Sequence, residues 1–378
     1  MVAYMSRIFI CASYADSLVR FRGALIQAAL DAGAEVHVAA PGLKESSDIA
    51  EELGKKGVIV HDLMMQRTGL NPVSDFITFV LLASIIFRVR PAVFLGYTVK
   101  PVIYGCLAAW LAGIHRRFAL ITGLGYAFTG ESTGKRGLLR KFVQGLYRFS
   151  LAQTHKVFFQ NPDDEALFRK LNLLPRAVPS CVVNGSGVDT SEYQLAPLPE
   201  QPRFLLIGRL LGDKGVREYA QAAAVVKAKY PSARFQMVGW IDDNPDAISQ
   251  KELDDWIESG TLEFLGKLAD VRPAIAECGV YVLPSYREGT PRTVLEAMAM
   301  GRAIITTDAP GCRETVIEGE NGYLVPVQDS EALANAMLRC IEHPDDVAAM
   351  GAVSRQIAEN KYDVHKVNQV MLKEMGIL

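Results

Sequence analysis

Phe204-Leu205-Leu206-Ile207-Gly208-Arg209-Leu210-Leu211-Gly212-Asp213-Lys214-Gly215-Val216 is the stretch that decides the fold. Four apolar residues run up to a glycine, a polar loop follows, and apolar helical spacing starts at Val216. This is a strand, a loop and a helix, the opening of a parallel α/β sheet. The same order stands near the start of the chain. A strand is predicted over residues 8–12, a loop over 13–17, and a helix through Leu18, Phe21, Leu25, Ala28 and Ala29. Gly33 stops that helix, and a second strand is predicted over 35–39.

Working outward, strands are predicted over 58–62, 93–96, 118–122, 157–160 and 181–183, and then over 234–238, 262–264, 280–283 and 303–306. Between the two series, residues 193–203 carry Pro197, Pro199 and Pro202 and read as a linker. The expected organisation is therefore a domain over 1–192, the linker over 193–203 and a second domain over 204–360. A helix within 361–378 is expected to pack back on the first domain. Ligands of open parallel sheets sit beyond the carboxyl ends of the strands, so both domains are expected to aim loops at a central cleft.

Composition excludes other classes. The chain has 378 residues, 49% of them hydrophobic and 22% charged, which suits ordinary globular domains rather than collagen, disorder or a disulfide framework. Its six cysteines form no C-x-x-C and read as small hydrophobes in a reducing compartment. No secretory signal stands at residues 1–9. The apolar run over 76–87 is shorter than the roughly 20 residues that cross a bilayer. The stretch over 91–114 is broken by Lys100 and Pro101 and reads as a buried strand and then a buried helix.

The net charge of −2 conceals an asymmetry. Residues 1–190 hold 21 lysines and arginines against 14 acidic residues; residues 191–378 hold 19 against 28. The first half suits an anionic ligand or surface.

Five segments could carry chemistry. In the first, Gly208 to Gly215, a loop opens a helix, and Arg209 and Lys214 could clamp a diphosphate. An ordinary turn with solvated charges explains the spacing equally well, and the segment is not a P-loop. The second is Glu288-Gly289-Thr290-Pro291-Arg292-Thr293-Val294-Leu295-Glu296. There Thr290 is expected as the N-cap and Pro291 as the first helical residue. Exposed amides over 289–293 could hold a phosphate, while the two glutamates take a sugar and a ribose; capping and surface charge is the plainer reading. The third, Pro310 to Thr315, is expected at the same sheet edge, with Glu314 either functional or, the favoured reading, opening a helix. The fourth, residues 122–130, places Gly123, Gly125 and Tyr126 after a strand, where the backbone could approach a ligand closely. The dinucleotide fingerprint G-x-G-x-x-G fails there, because residue 128 is Phe. In the fifth, residues 134–150, helical spacing groups Arg136, Arg140, Lys141 and Arg148 opposite Leu138, Leu139, Phe142, Val143, Leu146 and Phe149. Such a helix packs on its own sheet or lies on an anionic membrane. There is no D-x-D and no metal spacing among the six histidines.

In this order and context the segments resemble the family 4 retaining glycosyltransferases. The resemblance spans nearly the whole chain and is strongest over 204–327. It implies the α/β fold called GT-B, two Rossmann-like doubly wound domains facing a central cleft. It implies that Arg209 and Lys214 neutralise the leaving nucleoside diphosphate in place of a metal ion. Glu288 would meet the donor sugar, and Glu296 the ribose. Gly208, Gly266, Lys267, Leu268, Gly289, Thr290, Thr293 and Val294 would line the donor. Ser13, Tyr14, Gly123, Gly125 and Tyr126 would face the acceptor, although the first loop reads Ala12-Ser13-Tyr14-Ala15 where many members have Gly-Gly. The basic half resembles bacterial enzymes that extend undecaprenyl-diphosphate-linked glycans with N-acetylhexosamine. The implied partners are a nucleotide-sugar (UDP-linked), a lipid-diphosphate-linked saccharide and the inner face of the cell membrane. No cofactor, metal or nucleic acid is expected. The alternatives are a GT-B-type nucleotide-sugar epimerase and a non-catalytic nucleotide-sugar-binding partner.

Overall fold

The computed structural model describes residues 6–44, 48–66, 71–123 and 135–378, with the side chains of 135, 136, 138 and 139 outside that description. The chain divides into two compact units. The first comprises Met1–Ser186 and His365–Leu378, the second Gly187–Val364. The proline-rich stretch thus belongs wholly to the second unit, and the crossing lies at Ser186 and Gly187, ahead of the prolines.

In the first unit the strands are β1 (Arg7–Cys11), β2 (Glu35–Ala40), β3 (Ile59–Asp62), β4 (Val93–Tyr97), β5 (Arg116–Ile121), β6 (Lys156–Phe159) and β7 (Ser180–Val182). They pair in parallel in the order β3-β2-β1-β4-β5-β6-β7. The helices are α1 (Asp16–Arg20), α2 (Gly23–Asp31), α3 (Asp48–Lys55), α4 (Pro72–Val89), α5 (Cys106–Leu111), α6 (Lys135–Leu151) and α7 (Pro162–Lys170). Residues of the five inner strands are mostly buried on both faces, as a covered parallel sheet requires, while edge strands β3 and β7 are not. Phe9, Phe94, Ala119 and Phe159 point to the side held by α4 to α7, while Ile8, Ile10, Leu95 and Leu120 point to the other.

The second unit holds β8 (Arg203–Arg209), β9 (Arg234–Trp240), β10 (Glu263–Phe264), β11 (Val280–Leu283), β12 (Ala303–Thr307) and β13 (Gly322–Val325), ordered β10-β9-β8-β11-β12-β13. Its helices are α8 (Val216–Lys229), α9 (Gln250–Glu258), α10 (Arg272–Ala276), α11 (Arg292–Ala299), α12 (Ser330–Glu342) and α13 (Pro344–Ile357). The last helix, α14 (Val364–Glu374), sends Met371 and Leu372 into the core of the first unit, with Met375 just beyond it. Arg116 donates to the Met375 and Gly376 carbonyls, at 3.2 and 2.9 Å.

Both sheets have the doubly wound order expected of GT-B. The chain reverses direction across the sheet between β1 and β4 in one unit and between β8 and β11 in the other. These two switch points are where such sheets open a crevice.

Three local expectations need correction. Helix α11 begins at Arg292, and Pro291 is its N-cap in extended conformation, so Thr290 does not cap it. The Pro291 carbonyl accepts from Val294 at 3.1 Å, which moves the helix start one residue on. Glu314 lies in an isolated turn, Arg313–Thr315, and opens no longer helix. In α6, Phe142 and Phe149 face outward while Val143 and Tyr147 are buried, so the expected apolar arc is split. Arg136, Leu138 and Leu139 fall outside the described side chains.

Candidate active site

The switch point of the second unit gathers the residues singled out from the sequence. Strand β8 ends at Gly208 and Arg209, and a short turn, Gly212–Lys214, leads into α8. Gly215 makes that entry possible. Its φ is +70°, and a Cβ there would lie 2.2 Å from the Pro284 carbonyl oxygen. The turn is held from two sides. The Gly212 and Asp213 amides donate to Asp246, at 2.8 and 2.7 Å. The Asp213 carbonyl accepts from the Tyr286 amide at 2.8 Å and from the Ser285 hydroxyl at 3.1 Å.

This clamping brings Lys214 to Glu288. The two form an ion pair, and both side chains are only 16% exposed. Glu288 is fixed in turn by the third segment. Its amide donates to the Pro310 carbonyl at 2.9 Å. Gly311, at φ +82°, passes so close that a Cβ would lie 2.1 Å from the Glu288 carbonyl oxygen. The second and third segments therefore abut, as their expected places at one sheet edge require.

Arg209 donates to Asp242 at 3.2 Å. Glu296 lies inside α11 and is buried; its Oε1 accepts from Arg292 at 2.8 Å and from the Tyr193 hydroxyl at 3.0 Å. Burial first, and then the Glu296 carboxylate, push the Tyr193 phenol above its ordinary range. Gly289 and Val294 are buried, and the Thr293 hydroxyl oxygen lies 2.7 Å from that of Tyr281. Gly266 follows β10 at φ +70° and its carbonyl accepts from the Gly239 amide at 2.9 Å. Lys267 stacks its ammonium 4.9 Å from the centre of the Trp240 ring, and Leu268 packs on the core.

Sequence reasoning missed Asp242, Asp246, Tyr193 and Arg292. The acidic turn over 242–246 was the available signal, but its place depends on β9 lying beside β8.

At the switch point of the first unit, Ser13 is buried after β1, and its Oγ accepts from the Thr98 hydroxyl at 2.7 Å. Thr98 follows β4 at φ +69°, a left-handed conformation that a β-branched residue holds at a cost. Tyr14 is exposed and its hydroxyl donates to Asp16. Gly123 follows β5 at φ +130°. Gly125 and Tyr126 lie outside the described residues. Among the described residues no group of three or more His, Cys, Asp or Glu side chains is placed to hold a metal.

A family model described as "Glycosyl transferases group 1" matches residues 201–343, and one described as "Glycosyl transferase 4-like" matches 10–161. The chain is 30% identical over 340 residues to N,N'-diacetylbacillosaminyl-diphospho-undecaprenol alpha-1,3-N-acetylgalactosaminyltransferase of Campylobacter jejuni, covering 86% of this chain and 87% of that one. It is 23% identical over 361 residues to the capsular polysaccharide biosynthesis glycosyltransferase CapM of Staphylococcus aureus, covering 90% and 88%. Among solved structures, HepE of Anabaena in complex with UDP superposes with a TM-score of 0.77 at 19% identity, covering 99% of this chain and all of that one. A glycosyltransferase from Rickettsia africae superposes at 0.78 with 17% identity, covering 99% of each. With the doubly wound sheets of the GT-B fold in both units and a relative this similar over most of both lengths, the chain belongs to the group 1, family 4-type glycosyltransferases.

Proposed function

We propose that the protein is a retaining, metal-independent glycosyltransferase of bacterial glycan assembly. It moves an N-acetylhexosamine from a UDP-linked donor to a polyprenyl-diphosphate-linked saccharide at the inner face of the cell membrane. The observation that carries this reading is the convergence of Arg209, Lys214 and Glu288 at the switch point of the second sheet. Two cations beside a helix entrance suit a diphosphate, and they supply the charge that a divalent ion supplies elsewhere. The Campylobacter relative, named for transfer of N-acetylgalactosamine to a diphospho-undecaprenol acceptor, supports the donor and acceptor class.

In this reading the diphosphate takes Lys214 from Glu288 and Arg209 from Asp242. Glu288 then meets the sugar. The ribose reaches Glu296 by exchanging with Arg292, while Gly208, Gly289, Thr290, Thr293 and Val294 line the diphosphate and sugar. The backbone over Gly266, Lys267 and Leu268 meets the base. The bond from the anomeric carbon to the β-phosphate oxygen breaks as the acceptor oxygen bonds on the same face. The acceptor proton passes to the departing phosphate oxygen. Ser13, Tyr14, Gly123, Gly125 and Tyr126 are the residues proposed to contact the acceptor.

The test is a panel of UDP- and GDP-sugars with short-chain polyprenyl-diphosphate saccharides. Nucleotide release that needs acceptor, persists in chelator and gives a product of the donor's anomeric configuration is expected. Epimerisation of free nucleotide-sugar, or binding without release, would overturn the reading.

A further inference from the structure

Helix α4 presents a contradiction that its own unit does not resolve. Its 18 residues have a mean hydropathy of 1.8, and its ionisable side chains are Asp75 and Arg88. A helix apolar all round belongs in a core or in lipid. Only one stripe of α4 is buried, formed by Asp75, Thr78, Leu82, Ile86 and Val89. At about 100° per residue the opposite stripe holds Val73, Phe76, Ile77, Val80, Leu81 and Phe87. These six side chains are between 38% and 70% exposed.

The fold holds the helix in this orientation. Asp75 accepts from Lys100 at 2.6 Å, both side chains being almost fully buried, and the Tyr104 hydroxyl donates to the same carboxylate at 3.2 Å. A buried ion pair adds little net stability but penalises any rotation that separates it. The Thr78 hydroxyl donates to the Met64 carbonyl at 2.5 Å, which ties the buried stripe to the segment after β3. The apolar surface continues across the layer. Helix α5 packs on α4, and exposed Trp110 of α5 meets exposed Phe149 of α6 edge to face, with ring centres 6.2 Å apart.

Charge selects the occupant. Residues 71–160 hold 11 lysines and arginines against two acidic residues, Asp75 and Glu131. Among the described side chains of α4, α5 and α6, the exposed charges are Arg88, Lys141 and Arg148, all cationic. An apolar stripe on a layer of helices whose described, exposed charges are all cationic matches an anionic lipid surface. We infer that the outer stripe of α4 inserts into an anionic phospholipid bilayer, with the cations of that layer meeting the headgroups. This deepens, and rests on, the proposed use of a membrane-linked acceptor, and it moves the insertion from the basic helix α6 to α4.

The experiment is co-sedimentation of the full chain with vesicles of equal parts phosphatidylethanolamine and phosphatidylglycerol, and with phosphatidylcholine vesicles. The triple variant Phe76→Ser, Val80→Ser, Phe87→Ser alters only exposed side chains, and circular dichroism checks its folding. It is expected to bind the anionic vesicles at least tenfold more weakly than the native chain, which itself binds phosphatidylcholine poorly. In a second arm, Val80→Trp is expected to be quenched by lipids brominated in their acyl chains. Unchanged binding by the triple variant, or no quenching, overturns the inference. So does a native dimer that the triple variant dissolves while vesicle binding persists, because α4 would then be a self-association face. Transfer to a water-soluble short-chain acceptor separates this failure from that of the proposed activity.

Discussion

Lys214 and Glu288 neutralise each other in a partly buried position, so neither charge is offered to solvent before a donor arrives. In the proposed reading a diphosphate, which carries more negative charge than one carboxylate, competes for the ammonium and frees Glu288 for the sugar. Replacing Lys214 by Ala should lower kcat/KM by about 10²–10³-fold, the cost of removing one preorganised charge from a transition state. It should also lower stability by about 1–2 kcal/mol, less than full burial would cost, because Glu288 loses its counter-charge. Steady-state kinetics and a urea titration check both, and unchanged kcat/KM would remove Lys214 from the site. At this scale the sequence singled out Arg209, Lys214, Glu288 and Glu296 from within single segments, and the fold sets Lys214 against Glu288. The sequence was silent where a partner comes from elsewhere. Asp242 reaches Arg209 because β9 neighbours β8, and Tyr193 reaches Glu296 from a stretch read as linker.

The predicted strands were found within a few residues, because apolar runs bounded by loops are what a covered parallel sheet requires. Strand β13 was missed; it is a four-residue edge strand with too little pattern to stand out. The run over 76–87 was visible, but its two-sided apolarity could not say which side would stay uncovered. Pairing of β2 with β3 also makes a contact that spacing in the sequence concealed. His37 and His61 lie 2.9 Å apart, stacked on each other and on Phe9, and His37 meets Glu35 at 2.8 Å. Desolvation first, then His37 and Arg88, lower the His61 pKa to about 4. The folded chain therefore binds fewer protons than the unfolded one between pH about 6.5 and 4. Stability from this group is present near neutrality and is lost as pH falls through that window. The loss should be about 1–2 kcal/mol, discounted because His61 is half-exposed. Urea midpoints at pH 7 and pH 4.5 check this, with His61→Gln expected to flatten the difference; an equal fall in both proteins would refute it.

Across the whole molecule, the near-zero net charge is the sum of a basic and an acidic half, and all of the positive excess of the basic half lies over 71–160. The division into units follows the core, whereas the prolines alone suggested a later boundary. The first unit is discontinuous in sequence. Met371, Leu372 and Met375 complete its core from the far end of the chain. Deleting residues 365–378 removes five buried residues, Val367, Asn368, Met371, Leu372 and Met375, the last three each worth about 2–4 kcal/mol. Thermal unfolding should then show the transition of the first unit lost or lowered, with that of the second retained; two unaltered transitions would contradict this. The return of α14 also orders events during synthesis. Domains generally fold as units as they leave the ribosome, and the amino-terminal one is usually first. Here the second unit is uninterrupted and complete once Val364 has emerged, whereas the first waits for the final fourteen residues. A nascent chain cut short near its end would therefore carry an open amino-terminal core, a mark by which quality control could tell it from finished protein.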